Sequence, residues 1–213
     1  MSQLWPIVQL TLLVSSVAVL ASTLIGVPVG ALAGLASRRV RNVAAVLANT
    51  GMALPPVVVG LAIYLLLSRS GPLGSWEWLF TPRAMMAAQI VLTLPFVVGI
   101  TMNAVAAVPR ELLDQVRSLG AGPAQARWTV LREARAGVAL AVATALGRSL
   151  SEVGAVLIVG GDIEGHTRVM TTAIVLETRR GNFPTALALG GVLLALALVL
   201  NLVILRLGGR GAT

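Results

Sequence analysis

Two residue types that carry much of protein chemistry are missing from this chain of 213 residues: it has no cysteine, and all 16 of its basic residues are arginine. Without cysteine it can form neither a disulfide nor a thiolate metal site. Without lysine it cannot contain a P-loop, whose lysine contacts nucleotide phosphates. One histidine and eight acidic residues leave no evident nucleophile–base pair or metal-ligand set. We therefore expect neither an enzyme nor a resident metal or cofactor.

The composition favours a membrane protein. Hydrophobic residues make up 57% of the chain and charged residues 11%, which is too apolar for an ordinary soluble domain. Several apolar runs exceed the ~20 residues that cross a bilayer, and they are continuous, unlike the short alternating strands of a β-barrel. The net charge of +8 comes from arginines at the ends of these runs, a pattern of membrane topology and not of nucleic-acid binding. We expect an all-α integral membrane protein in contact with the lipid bilayer and without a nucleic-acid partner.

Five apolar stretches are predicted to cross the membrane within one domain that covers residues 1–213. They are Leu4–Ala36, Val43–Leu67, Ala84–Val108, Ala136–Gly161 and Ala186–Leu205. The first exceeds one perpendicular crossing, so we expect a tilt, an interfacial start or a kink near Pro28. A signal peptide is the alternative, but the stretch is too long and has no positive charge before it.

Two further features of the apolar stretches are informative. Pro55 and Pro56 fall inside the second stretch and should bend its helix. Val169–Leu176 is apolar but too short to cross, which favours a re-entrant or surface helix.

The distribution of arginines predicts the orientation. With five crossings, ten loop arginines lie on one side and five on the other; the larger group includes Arg38, Arg39, Arg41 and Arg210. Because cytoplasmic loops are enriched in basic residues, the larger group is placed in the cytoplasm. This puts the N-terminus outside and the C-terminus inside.

A charged segment, Pro109–Arg135, separates the third and fourth apolar stretches. Its first part predicts a short amphipathic helix ended by Gly120, and Pro123 can begin a second helix. The apolar residues expected to share one face are Leu112, Leu113, Val116 and Leu119. A plain loop on the membrane surface and a coupling helix that fits a cleft in a partner protein both remain open.

The Asp114-Gln115-Val116 sequence, with Gly120 four residues later, resembles the EAA motif of permease subunits in binding-protein-dependent ABC importers. Asp in place of Glu, Gln-Val in place of Ala-Ala, and Arg132-Glu133 in place of Leu-Pro depart from that motif. The resemblance implies that this segment contacts an ATPase. The residues assigned to this coupling are Glu111, Asp114, Gln115, Arg117, Ser118, Gly120, Ala121 and Val130.

The segments Gly147–Ala155 and Val159–Phe183 resemble molybdate, tungstate and sulfate permeases, and the tungstate type most closely. The resemblance implies a type I ABC importer permease fold and a homodimer. It also implies partner ATPase subunits that carry ATP and Mg²⁺, and an extracytoplasmic substrate-binding protein. Tungstate is then the expected oxyanion; import of molybdate or sulfate is the alternative, followed by a self-sufficient anion channel or secondary carrier.

Arg148 and Glu152 lie four residues apart within the fourth apolar stretch. They can form an ion pair that fixes helix packing, or Arg148 can line the anion path while Glu152 tempers its charge. Ser149 and Ser151 either add hydroxyl donors to that path or satisfy the backbone at a tight helix contact.

The segment after the fourth stretch is predicted on the outer side. It is either a solvated loop or a gate and docking rim for the substrate-binding protein. The residues assigned to it are His166, Thr167, Arg168, Thr171 and Thr172. A single histidine without neighbouring ligands does not indicate a metal site.

Overall fold

The computed structural model describes residues 4–209, and these form ten α-helices and one short 3₁₀ turn, without a β-strand. In chain order the helices are α1 (Leu4–Leu35), α2 (Arg38–Met52), α3 (Pro56–Leu67), α4 (Pro82–Ala106), α5 (Arg110–Ser118), α6 (Pro123–Glu133), α7 (Arg135–Leu150), α8 (Gly154–Gly160), α9 (Met170–Arg179) and α10 (Phe183–Gly209). Arg210, which was counted in the predicted orientation, lies outside the described residues.

Within residues 4–209, three helices are long and apolar enough to cross a membrane alone: α1, α4 and α10. Two bent pairs, α2 with α3 and α7 with α8, raise the number of candidate spans to five if each pair crosses once. The first, third and fifth predicted stretches are thus single helices. Proline does not interrupt α1 or α4, since Pro28 and Pro95 lie inside continuous helices.

The bend predicted at Pro55 and Pro56 is confirmed, and it is sharp enough to divide the second predicted stretch into two helices. Helices α2 and α3 meet at 90°, and α2 begins at Arg38, five residues before the predicted start. The cause is the proline pair, because Pro55 precedes α3 and Pro56 is its first residue. With 15 and 12 residues, the two helices are about 22 and 18 Å long, so neither alone spans ~30 Å of hydrocarbon.

The fourth predicted stretch is also broken, with a bend of 58° between α7 and α8. The sequence had suggested that Arg148 and Glu152 lie on one helix. Helix α7 ends at Leu150, however, so Glu152 lies in the break. The second halves of both broken spans pack tightly: a Cβ added to Gly60 of α3 would lie 2.7 Å from the Cα of Ala155 in α8. Each break therefore places a short helix against the other broken span.

Helices α1 and α4 form the most extensive helix pair. Three glycines at four-residue spacing, Gly26, Gly30 and Gly34, allow the approach. A Cβ at Gly30 would lie 2.6 Å from the carbonyl oxygen of Val98, and one at Gly34 would lie 2.7 Å from that of Met102. Small residues at this spacing predict close helix contact, and the structure confirms it.

The short apolar segment predicted at residues 169–176 is the helix α9, which is too short to cross a bilayer. Its first four residues are buried, and its body packs against α10. The backbone N–H of Met170 donates a hydrogen bond of 2.9 Å to the hydroxyl of Thr11, which joins α9 to α1. Helix α9 is therefore packed into the bundle at its start.

Replacing Gly30 with alanine should destabilise the protein by about 1–3 kcal/mol, because the added methyl group overlaps the backbone of α4. The matched control is Gly191→Ala in α10, where nothing lies within 4 Å of the new methyl group. We expect thermal unfolding of the purified chain in detergent to occur at a lower temperature for G30A alone. Equal unfolding temperatures for the two variants would contradict a tight α1–α4 contact.

Candidate coupling and translocation sites

Helices α5 and α6 and the turn between them form a compact unit, residues 110–133, which we call the knob. The turn is a Schellman motif, in which the N–H of Ala121 donates to the carbonyl of Val116 and that of Gly120 to the carbonyl of Arg117. Gly120 has a φ of +86°, a conformation that glycine adopts without strain. The predicted helix–turn–helix is confirmed, with Gly120 as its stop and Pro123 as the first residue of α6.

Most of the residues assigned to coupling are exposed on the knob. The exposed ones are Glu111, Asp114, Gln115, Arg117, Ser118 and Gly120. Ala121 is half-buried in the turn. The exposed set is therefore free to meet a partner.

Val130 is different, because its side chain is buried. It packs with Val105 of α4 and Ala134, and Leu35 of α1 and Leu113 of α5 pack against this cluster. Val130 therefore belongs to the base that attaches the knob to the membrane helices. It cannot be a direct contact for a partner, which corrects that part of its assignment.

Two large apolar side chains on the knob were not assigned to coupling and are exposed. Leu119 is 88% exposed and Trp128 is 66% exposed. Leu119 had been expected to share the apolar face of α5, but it lies after the last helical residue, Ser118, where the chain leaves helical geometry. A tryptophan between Arg127 and Thr129 in this helix was the sequence signal for such a contact residue.

The break in the fourth span is organised around the carboxylate of Glu152, whose side chain is only 3% exposed. One oxygen lies 3.3 Å from a guanidinium nitrogen of Arg148. The other accepts a hydrogen bond of 3.0 Å from the N–H of Ala155, in the first turn of α8. The negative charge thus meets both a cation and the positive end of a helix dipole. The backbone carbonyl of Glu152 accepts a further bond from the hydroxyl of Thr171 in α9.

Arg148 is the less enclosed partner, with a side chain that is 27% exposed. It lies in the last turn of α7, where a cation is favoured by the helix dipole. The ion pair that the sequence allowed is therefore present. The geometry leaves part of the guanidinium accessible while its charge is partly compensated.

The two serines beside this pair have separate environments. Ser149 is buried, and its hydroxyl donates to the side-chain oxygen of Gln89 in α4 at 2.6 Å. The Gln89 side-chain nitrogen donates back to the carbonyl of Ser149 at 3.2 Å. Ser151 is exposed and bonds only to the carbonyl of Arg148. Ser149 thus joins α4 to α7, and of the two serines only Ser151 keeps an accessible hydroxyl. The sequence did not identify Gln89, because a single glutamine in an apolar stretch does not indicate its partner.

Three of the five residues assigned to the outer segment are buried. The hydroxyl of Thr167 donates to the carbonyl of Gly160 at 2.6 Å and accepts from the N–H of Ile163. Thr172 bonds to the backbone of Val169 at the start of α9, and Thr171 bonds to Glu152. An exposed position for these three threonines was therefore wrong, because each hydroxyl satisfies a backbone group inside the protein.

The other two members of that set, His166 and Arg168, lie in the loop between α8 and α9. His166 is exposed. The guanidinium of Arg168 forms ion pairs of 3.2 Å with Asp162 and 3.1 Å with Glu164, which close the loop on itself. Among residues 4–209 there is no group of three or more side chains that could together hold a metal ion.

Over most of its length, the chain is similar to membrane transport proteins. Residues 26–210 match the family described as binding-protein-dependent transport system inner membrane component. A probable anion ABC transporter permease protein of Haloferax volcanii is 44% identical over 200 residues, which cover 92% of this chain and 86% of the relative. A tungstate uptake system permease protein of Peptoclostridium acidaminophilum is 39% identical over 205 residues, which cover 96% and 90%.

A tungstate uptake system permease protein of Campylobacter jejuni is 38% identical over 155 residues, covering 73% of this chain and 65% of the relative. The family match and the two fuller alignments each cover most of the chain. The relatives are permease proteins of transport systems. This chain belongs to the family of binding-protein-dependent transport system inner membrane components.

Proposed function

We propose that this chain is the permease subunit of an ABC importer that moves tungstate into the cytoplasm. Two copies form the pathway between them, separate ATPase subunits bind and hydrolyse MgATP, and an extracytoplasmic protein delivers the anion. The observation that carries the proposal is the combination of a water-exposed knob with a partly compensated arginine inside a broken span. The tungstate permeases among the relatives support the choice of anion.

The knob is suited to transmit a conformational movement of an ATPase to the membrane helices. It is inserted between α4 and α7, which pack on each other in the bundle. Its base is attached through Val130 to Val105 of α4. Displacement of the knob therefore moves the inner ends of these helices, and alternating access needs such a motion between two packed arrangements.

The exposed side of the knob supplies the contact. Leu119 and Trp128 present large apolar surface in a polar setting, and such residues contribute most of the binding energy in protein interfaces. The exposed members of the coupling set surround them with polar and charged groups, which suits the rim of an interface. We assign the ATPase contact to this surface, with the knob in the cytoplasm and the N-terminus outside.

The pathway is assigned to the break between α7 and α8. A tetrahedral dianion needs a cation to enter apolar surroundings, but a strong isolated cation would retain it. Arg148 fits this requirement because Glu152 partly compensates its charge. The exposed hydroxyl of Ser151 adds a donor nearby, whereas Ser149 supports the site through Gln89.

The loop between α8 and α9 is assigned to the outer gate and the rim under the binding protein. His166 and the Arg168 ion pairs form its surface. Thr167, Thr171 and Thr172 shape it from inside by fixing the backbone. Because Thr171 also bonds to the backbone of Glu152, a movement of this rim is coupled to the assigned pathway.

Reconstitution into liposomes tests the function directly. We expect uptake of tungstate only when this chain, its ATPase, its binding protein and ATP are all present. Tungstate should be taken up in preference to sulfate, and calorimetry of the binding protein should rank tungstate, molybdate and sulfate in the same order. Uptake by the chain alone would instead indicate a channel or secondary carrier.

Replacing Gly120 with valine should uncouple the complex while the protein still inserts and folds. A β-branched residue at a φ of +86° is strained by at least ~1–2 kcal/mol, so the turn of the knob must rearrange. We expect loss of ATP-driven uptake and of substrate-stimulated ATP hydrolysis. The matched control is Gly122→Val, two residues away, where φ is −66° and nothing lies within 4 Å of the added Cβ.

Gly122→Val should leave both activities near the wild-type level. If G120V and G122V behave alike, the geometry of this turn does not control coupling.

The roles of Arg148 and Glu152 can be separated with variants that replace each charged side chain by glutamine. R148Q alone should destabilise the protein by up to about 3 kcal/mol, because a buried carboxylate loses its cation, and Glu152→Gln should reverse much of that loss. If Arg148 contacts the anion, the double variant R148Q/E152Q will fold normally but still fail to transport. Thermal unfolding and uptake are measured on the same preparations, and full uptake by the double variant would exclude a direct role for Arg148.

A further inference from the structure

A cleft of about 370 Å³ lies where the knob meets the inner ends of the membrane helices. Its walls come from the end of α1, the start of α2, the end of α4, one side of α5 and Val130 of α6. It is separate from the Arg148–Glu152 site and from the loop between α8 and α9. Its lining includes Asp114 and Arg117 of the exposed coupling set, and Val105 and Val130 from the base of the knob.

Three arginines line this cleft: Arg41 from α2, and Arg110 and Arg117 from α5. Arg41 is half-buried, while the other two are exposed. Among the described residues none of the three forms an ion pair or a side-chain hydrogen bond. Asp114 also lines the cleft but is not within ion-pair distance of any of them, so the cleft has an excess of positive charge.

The backbone adds to this positive potential. Two helices, α2 and α5, begin at the cleft, and their N-cap residues are Ser37 and Pro109. Neither N-cap makes a side-chain capping bond, so N–H groups of both first turns remain available. Helix starts of this kind favour phosphate-like anions, here in addition to the three arginines.

The remaining wall of the cleft is apolar. Leu35, Val105 and Val108 belong to the ends of α1 and α4, and Leu113 lies under the knob. On α2, beside Arg41, Val40 is exposed to solvent in this chain. Unpaired guanidiniums together with aliphatic surface at the end of a membrane bundle match a phosphate group that is attached to acyl chains.

We propose that this cleft binds the headgroup of an anionic phospholipid, with the phosphate held by Arg41, Arg110 and Arg117 and the acyl chains along the apolar wall. The lipid would sit between the knob and the ends of α1 and α4. It would therefore stabilise one position of the knob, and this effect does not depend on which anion is transported. Leu119 and Trp128 remain available to a protein partner.

Native mass spectrometry of the purified full-length chain tests this proposal with phosphatidylglycerol and phosphatidylcholine as probes. The wild type should retain phosphatidylglycerol in preference to phosphatidylcholine. Arg41→Gln should weaken retention of phosphatidylglycerol about 5-fold, as expected for one arginine near a lipid phosphate. Arg41→Lys, which keeps the charge, should recover much of it, and Arg110→Gln serves as a second removal in case R41Q does not fold.

The matched control is Arg39→Gln, which removes the same charge from an exposed site in α2 that does not line the cleft. It should retain phosphatidylglycerol like the wild type. If R39Q and R41Q lose phosphatidylglycerol to the same extent, retention depends on general surface charge and not on the cleft, and the proposal is overturned. Displacement of the lipid by millimolar inorganic phosphate would reassign the cleft to a free oxyanion, and displacement by the ATPase subunits would reassign it to the protein interface.

Discussion

The buried carboxylate of Glu152 is the interaction on which the arrangement of the membrane helices depends. It lies where the fourth span is broken, and it meets the guanidinium of Arg148 and the first turn of α8. Its backbone carbonyl accepts from Thr171, which brings in α9. A charge placed inside an apolar bundle is costly unless it is paired, so Arg148 and the first turn of α8 stabilise the carboxylate in the break. The break in turn places α8 against α3 through Gly60 and Ala155.

The bundle thus combines two parts: a closely packed pair of continuous helices and two spans that are broken. Helices α1 and α4 are held together backbone to backbone by their glycines, and both are continuous. The two broken spans consist of short helices that meet at 90° and 58°. The knob is joined to both parts, since it follows α4 and precedes α7 in the chain. In the proposed coupling, a movement of the knob relative to α1 and α4 would be transmitted to the break between α7 and α8, next to Arg148 and Glu152.

Residues that seemed equivalent in the sequence have different tasks in the structure. Val130 and Leu119 are both aliphatic knob residues, yet one is buried in the base and the other is exposed. Ser149 and Ser151 both lie between the two residues of the ion pair in the chain, but only Ser149 is hydrogen-bonded to α4, through Gln89. Periodicity within one helix could not separate these cases, because the burial of each residue depends on helices distant in the chain.

The sequence by itself determined the membrane class, five apolar stretches, the glycine contact face of α1 and the helix–turn–helix with its stop at Gly120. These features follow from local composition and from residue types with special backbone preferences, so no distant partner is needed to infer them. Only the tertiary structure decided how sharply the two broken spans bend, which threonines are buried and that Arg41, Arg110 and Arg117 line one cleft. Those features depend on which helices pack together, and the free energy of packing between distant segments is not written in any one of them.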